Sequence, residues 1–136
     1  MSGRRAAFAA AAESFAGAPF RFRGRDPRTG LDCVGLAIAA LQKIGSAPPR
    51  IAPYAMRQRD LPAQLAALAE AGFGPVDGPI QSGDLLLLKA APAQLHLAVA
   101  GPEGSLIHAH AGLGRVVLTP APCPFPVQRH WRLRED

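Results

Sequence analysis

The apolar pattern of this chain changes period near its middle, and this change constrains the fold more than any other feature. In the first half, apolar residues recur at helical spacing, which predicts helices over residues 3–16, 32–45 and 61–71. In the second half, short apolar runs alternate with turn signals. These runs predict strands over residues 85–89, 95–100, 106–110, 115–118 and 128–133. Helices followed by consecutive antiparallel strands indicate an α+β fold, with N-terminal helices on a central antiparallel sheet of about five or six strands.

The segments between these elements have their own signatures. Residues 17–31 are rich in glycine and arginine and are predicted to form an irregular loop. Residues 54–60 are ambiguous, and a polar helical turn is one interpretation. Alternating prolines from Pro120 to Pro126 disfavour a strand and indicate an extended crossing segment. The chain has 136 residues and no internal repeat, so we expect a single domain over residues 1–136.

Charge and hydropathy exclude some classes of function. The net charge of +5 would suit nucleic acid, an anionic membrane or an anionic wall polymer. The arginines are scattered and there is only one Trp and one Tyr for base stacking, so we expect no nucleic-acid partner. No apolar run reaches the eighteen or so residues of a membrane span, so we expect no membrane insertion. The segment Ala6 to Ala12 resembles an amphipathic helix more than a signal peptide, which predicts synthesis in the cytoplasm without a signal peptide.

A single cysteine, Cys33, stands where the first loop changes into an apolar helical run. Unpaired backbone N–H groups at a helix start carry partial positive charge, and this favours a thiolate and hence a nucleophile. The second cysteine, Cys123, is far away in sequence. The two could pair, but two cysteines make no disulfide framework.

Three of the four histidines fall in the strand half of the chain, at His96, His108 and His110. A hairpin turn at residues 101–104 would place His96 and His108 nearly opposite one another, close enough for their imidazoles to touch. One imidazole beside Cys33 could take the thiol proton, and the second could orient the first. The pattern thus favours a Cys-His-His triad over ordinary structural histidines. A zinc site that adds Cys123 is the alternative, although the short spacings typical of such sites are absent.

Five motifs in order resemble those of the NlpC-family cell-wall peptidases, which are papain-like cysteine peptidases. The interval of twelve residues between the two histidine motifs also resembles that family's. The matching stretches are Gly17-Ala18-Pro19-Phe20-Arg21-Phe22 with Gly24, Gly30-Leu31-Asp32-Cys33-Val34-Gly35-Leu36, Gly83-Asp84-Leu85-Leu86, Leu95-His96-Leu97-Ala98-Val99 and Leu106-Ile107-His108-Ala109.

The resemblance implies a papain-like fold and a cysteine endopeptidase that cleaves peptidoglycan stem peptides, at the bond between γ-D-glutamyl and a diamino acid. It implies that Cys33 is the nucleophile, that His96 is general base and then acid, and that His108 orients His96. The backbone N–H of Cys33 is a candidate oxyanion donor. No cofactor and no metal are expected.

The resemblance also implies three substrate contacts, at Asp32, Phe20 and Val34. Asp32 would meet the polar end of the substrate peptide, and it could at the same time cap the helix. Phe20 stands where many relatives have a tyrosine whose hydroxyl reaches the site, and Val34 stands where many have a serine. His110 shares a strand face with His108 and is the alternative third residue of the triad. His130 and Cys123 are interpreted as structural or incidental.

The resemblance is strongest to relatives encoded among the tail genes of phages and phage-like gene transfer agents. It implies delivery in the tail of such a particle, action in the periplasm or cell wall, and tail-hub proteins as possible partners. Two other functions stay open, a structural tail component that has lost catalysis and an amidase or acyltransferase on the same fold.

Overall fold

The structure of the protein is a computed structural model that describes residues 3–47, 49, 62–91 and 94–135, and the ambiguous segment at 54–60 lies outside the described residues. The described residues form three helices, eight strands and one 3₁₀ turn. They are α1 (Arg4–Ser14), β1 (Arg25–Asp26), β2 (Gly30–Leu31), α2 (Cys33–Lys43), α3 (Pro62–Glu70), β3 (Phe73–Pro75), β4 (Leu85–Ala91), β5 (Gln94–Ala100), the 3₁₀ turn Pro102–Gly104, β6 (Leu106–His110), β7 (Arg115–Thr119) and β8 (Val127–Leu133).

Six strands form one antiparallel sheet in the order β3-β8-β4-β5-β6-β7. The predicted α+β class, the N-terminal helices and the five predicted strands are confirmed. Two features were not predicted. The loop at 17–31 contains the small hairpin β1–β2, and β3 adds a sixth strand at the sheet edge. No helix among the described residues has the length and apolar character needed to cross a membrane.

One face of the sheet, here called the inner face, packs against α1 and α2. Alternate strand residues point to this side and are buried in the larger hydrophobic cluster, together with Phe8 and most of α2. The strand residues in it include Leu85, Leu87, Leu97, Val99 and Ile107. Each such side chain contributes roughly 1.5–3 kcal/mol of apolar burial, so the inner face is the main source of stability.

The opposite side, here called the outer face, carries a smaller apolar cluster. Its buried members are Leu86, Leu88, Ala98, Ala100 and Leu106. The proline-rich segment after β7 covers it through Cys123 and Phe125, and Val127 at the start of β8 packs on it as well. The extended crossing segment predicted from its prolines therefore forms the cover of the outer face.

A polar cluster lies on the outer face beyond the Ala100 end of β5. Asp84 is fully buried, and Arg132 donates to both of its carboxylate oxygens, at 2.9 and 3.0 Å. His130 lies 3.9 Å from the same carboxylate. The pairing compensates a buried charge that would otherwise be costly.

Candidate active site

Cys33 is the first residue of α2, and Asp32 is its N-cap. The Asp32 carboxylate accepts a 2.8 Å hydrogen bond from the Gly35 N–H, and the Asp32 carbonyl accepts the first backbone bond of the helix from Leu36. The N–H groups of Cys33 and Val34 are then the ones in the first turn without a partner in the helix. Both lie against the Cys33 sulfur.

A third N–H group reaches this sulfur from the sheet. Leu97 of β5 donates its backbone N–H to Cys33. The ladder between β5 and β6 consists of two pairs and ends at Val99↔Ile107, two residues short of Leu97. The thiol therefore lies where β5 separates from β6, beside the residue that follows His96.

The resting state of the thiol differs from the expectation. Burial, with the Asp32 carboxylate as a smaller cause, raises the pKa of Cys33 to about 11, against the opposing effect of the three N–H donors. The N–H groups at the helix start act in the predicted direction and lower the pKa of Cys33, but burial and a neighbouring negative charge outweigh them, so the thiol is protonated at rest.

Close backbone packing holds the loop against the start of α2. A side chain at Gly35 would overlap the carbonyl oxygen of Gly24, and a side chain at Gly24 would overlap the carbonyl oxygen of Gly30, so each position needs glycine for its own close approach. Asp32 fastens the same loop, because it accepts from the Arg23 N–H at 2.8 Å and from the Arg25 guanidinium at 3.1 Å. Its capping role is thus observed, and its contact with substrate stays a prediction.

The two histidines meet, although by a different register from the one predicted. The β5–β6 pairs Val99↔Ile107 and Ala100↔Leu106 place the hairpin centre at residue 103, because the turn spans residues 101–105 and contains the 3₁₀ turn. The prediction that His96 and His108 lie nearly opposite was therefore off by two positions. A shift of two residues keeps the side chains on the same face, so the contact survives as a diagonal one.

The His96–His108 contact is close. His96 Nε2 lies 3.4 Å from His108 Nδ1, and the ring centroids are 5.5 Å apart at nearly a right angle. Burial, with neighbouring histidines as a smaller cause, lowers the pKa of both imidazoles to about 4. Both imidazoles are therefore neutral near pH 7, and a neutral His96 can accept a proton.

His108 has two further neighbours that the sequence did not indicate. Its Nε2 lies 2.9 Å from the Thr119 hydroxyl, and the Phe125 ring packs edge-on at 6.4 Å between centroids. Only 3% of His108 is exposed. No sequence motif marks Thr119, and its position follows only once the β6–β7 register is known.

His110 lies on the same face but has a different partner. The Leu113 N–H donates to His110 Nδ1 at 3.0 Å, and the His110 ring is 5.7 Å from that of His108. The hydrogen-bond contact of His96 is with His108. This geometry favours His108 over His110 as the residue that orients His96.

The two remaining substrate-contact candidates are placed differently from one another. Val34 is fully buried in the inner cluster, so the substrate contact expected of its side chain is not available in this structure. Phe20 packs against the edge of that cluster and is partly exposed, at a backbone bridge to Leu31. A substrate contact at Phe20 stays a prediction.

The zinc alternative and the remaining polar residues can be placed as well. Within the described parts of the chain, no group of three or more His, Cys, Asp or Glu side chains is arranged to hold a metal. Cys33 and Cys123 are both free thiols. Cys123 packs on the outer face and His130 lies beside Asp84, in line with structural roles.

Comparison with known proteins agrees with this architecture. The family model described as NlpC/P60 family matches residues 17–134. Among solved structures, the fold is similar to NlpC2 from Trichomonas vaginalis, with a TM-score of 0.74, 18% identity, and 98% of this chain and 48% of that chain covered. It is also similar to the NlpC/p60 domain of the peptidoglycan hydrolase SagA, with a TM-score of 0.67, 23% identity and coverages of 96% and 99%.

A third similar structure is the peptidoglycan hydrolase RipB from Mycobacterium tuberculosis, with a TM-score of 0.64, 19% identity and coverages of 96% and 65%. The chain spans about half the length of NlpC2 and of NlpC1 from Trichomonas vaginalis, at 48% and 45%. A search of functionally curated proteins found no matching relative. These likenesses establish the fold.

Proposed function

Because this chain belongs to the NlpC/P60 family, we propose that it is a cysteine endopeptidase that hydrolyses the stem peptides of peptidoglycan. The observation that carries the proposal is the placement of the His96–His108 pair on the outer face, beside the strand residue whose N–H meets the Cys33 sulfur. SagA and RipB, which share the fold, are described as peptidoglycan hydrolases.

The pairing of the imidazoles assigns a nitrogen to each task. His96 Nε2 faces His108, so Nδ1 is the nitrogen left to act on the thiol. The pKa values, about 11 for Cys33 and about 4 for His96, mean that thiol and imidazole are both neutral at rest. We therefore expect proton transfer to His96 to accompany attack of the sulfur on the peptide carbonyl, with no preformed ion pair.

The attack gives a tetrahedral intermediate, which expels the amine and leaves a thioester on Cys33. Protonated His96 returns its proton to the departing amine. Water then attacks the thioester with His96 again as base, which releases the acyl product and regenerates the thiol. The N–H groups of Cys33 and Val34, which have no partner in the helix, are the candidates to stabilise the oxyanion.

The bond between γ-D-glutamyl and a diamino acid is the cleavage site we propose, on the sequence resemblance described above. Digestion of purified sacculi tests this directly. The wild-type protein should release fragments split at that bond, as identified by mass spectrometry, and Cys33→Ala should lower the rate by roughly 10⁴-fold or more.

The same digest separates the alternatives. Release of intact stem peptides from the sugar chain would indicate an amidase. Peptide fragments joined to an added amine would indicate an acyltransferase. Equal rates for the wild type and Cys33→Ala would refute the peptidase and favour a structural component.

We also propose that the protein acts from the tail of a phage or phage-like gene transfer agent, since its loop and cysteine motifs resemble that subgroup. Immunodetection in purified particles should find it bound to the tail hub. Its confinement to the cytoplasm of producing cells would contradict this role.

A further inference from the structure

Thr119 is the last residue of β7, and its side chain lies on the outer face. In the β6–β7 register, Val117 is directly opposite His108 and Thr119 is opposite Leu106, so Thr119 meets His108 on the diagonal. The distance from Thr119 Oγ1 to His108 Nε2 is 2.9 Å. Since His96 Nε2 lies 3.4 Å from His108 Nδ1, the three side chains form a row in the order His96, His108, Thr119.

Hydrogen positions along this row can run in two directions. In the first, His108 Nε2–H donates to Thr119, His96 Nε2–H donates to His108 Nδ1, and His96 Nδ1 keeps the lone pair that can take the thiol proton. In the second, the threonine hydroxyl donates to His108, and every proton moves to the other nitrogen. His96 then carries its proton on Nδ1 and cannot act as the base.

The environment of His108 favours the first direction. The ring is 3% exposed and lies against Phe125, so water has little access to its Nε2. Thr119 is only partly buried, so its hydroxyl hydrogen can turn toward solvent while an oxygen lone pair accepts from His108. After His96 takes a proton, its Nε2–H faces His108 Nδ1, and only the first direction leaves an acceptor there.

We propose that Thr119 is a positioning residue that holds His108 in its Nε2–H form and thereby keeps the base nitrogen of His96 free. This inference rests on the proposed function, in which His96 accepts the thiol proton. Thr119 itself touches neither the thiol nor the substrate in this assignment. Its effect reaches the reaction through two imidazoles.

The test uses Thr119→Val, which keeps the shape and removes the hydroxyl, with Thr119→Ser as the matched control. We expect Thr119→Val to lower kcat/KM on stem peptides by about 10–100-fold, mostly through kcat, because His108 loses its buried acceptor. Thr119→Ser should recover most of the activity. Equal activity of the valine variant and the wild type would overturn the proposal.

A second measurement does not depend on hydrolysis. Nitrogen-15 NMR of the wild-type protein at pH 7 should show His108 protonated on Nε2 and unprotonated on Nδ1, and Thr119→Val should shift this tautomer balance. A wild-type His108 protonated on Nδ1 would overturn the proposal, whether or not the valine variant folds. If wild-type protein fails to digest sacculi while the predicted tautomer is found, the proposed function fails, and the hydrogen bond by which Thr119 holds His108 in its Nε2–H form stands.

Discussion

The two faces of the sheet differ in what they contribute. The inner face meets α1 and α2 in one large apolar cluster, while the outer face combines a small apolar cluster with buried polar groups, Asp84 and His108 among them. A chain segment without helices covers the outer face. The inner face therefore supplies most of the stability, and the outer face is where ionisable side chains can be held at defined positions.

The proposed active site draws on both faces. Cys33 belongs to the helix layer and packs against the inner cluster, whereas His96 and His108 lie on the outer face. The Cys33 sulfur meets the N–H of Leu97, the residue that follows His96, at the point where β5 and β6 separate beyond Val99. If β5 and β6 stayed paired here, the sheet would separate the Cys33 thiol on its inner side from the His96 imidazole on its outer side.

The largest expected effect tests how the loop at residues 17–31 is attached to the start of α2. Gly35→Ala would place a methyl group on the carbonyl oxygen of Gly24, and this backbone atom cannot move without shifting the loop. We expect a loss of about 3 kcal/mol or more in the free energy of unfolding. Gly74→Ala is the control, because nothing lies within 4 Å of that position. Chemical denaturation measures both, and equal losses would contradict the close packing.

The next effect concerns the polar cluster of the outer face. Arg132→Ala removes two hydrogen bonds and the paired charge from the buried carboxylate of Asp84 and leaves it the bond from the Gln81 N–H, so we expect a loss of about 2 kcal/mol in unfolding free energy. Arg28→Ala is the matched control, since its pair with Asp26 is exposed to solvent and should contribute little to stability. A loss at Arg132 as small as that at Arg28 would mean that the buried pair of Arg132 and Asp84 does not stabilise the protein.

The smallest effect shows whether burial or the helix terminus dominates the pKa of the Cys33 thiol. Since the pKa of Cys33 is raised to about 11, the protonated form persists through neutral pH and the thiolate appears only in alkaline solution. In a Cys123→Ala background, iodoacetamide should alkylate Cys33 at least about tenfold more slowly than free cysteine at pH 8, with a rate that still rises above pH 9. A rate that levels off below pH 8 would show that the helix terminus outweighs burial.

Much of this architecture is legible in the sequence. Helical spacing and turn signals locate α1, α2 and the five longer strands, because those patterns reflect local burial. The capping role of Asp32 is equally local. The two-residue strands of the β1–β2 hairpin and the three-residue β3 are too short to give a periodic signal, so they were missed.

The features that the sequence did not reveal depend on contacts between distant residues. The His96–His108 register depends on how the turn over residues 101–105 closes, and local patterns do not show how a 3₁₀ turn will close. Thr119 gains its partner only through the β6–β7 register. The sign of the Cys33 pKa shift follows from how deeply the helix start is packed, which a linear pattern does not report.

Two adjacent residues of β5 give the most direct test of the division between faces. His96 lies on the outer face beside His108, and Leu97 is fully buried in the inner cluster. We predict that His96→Ala lowers kcat/KM for stem-peptide hydrolysis by roughly 10³-fold or more and changes the unfolding free energy by less than about 1 kcal/mol. We predict that Leu97→Ala costs about 2–5 kcal/mol of stability and leaves the activity per folded molecule within about tenfold of the wild type. Retained activity in His96→Ala, or lost activity in a stably folded Leu97→Ala, would contradict the account.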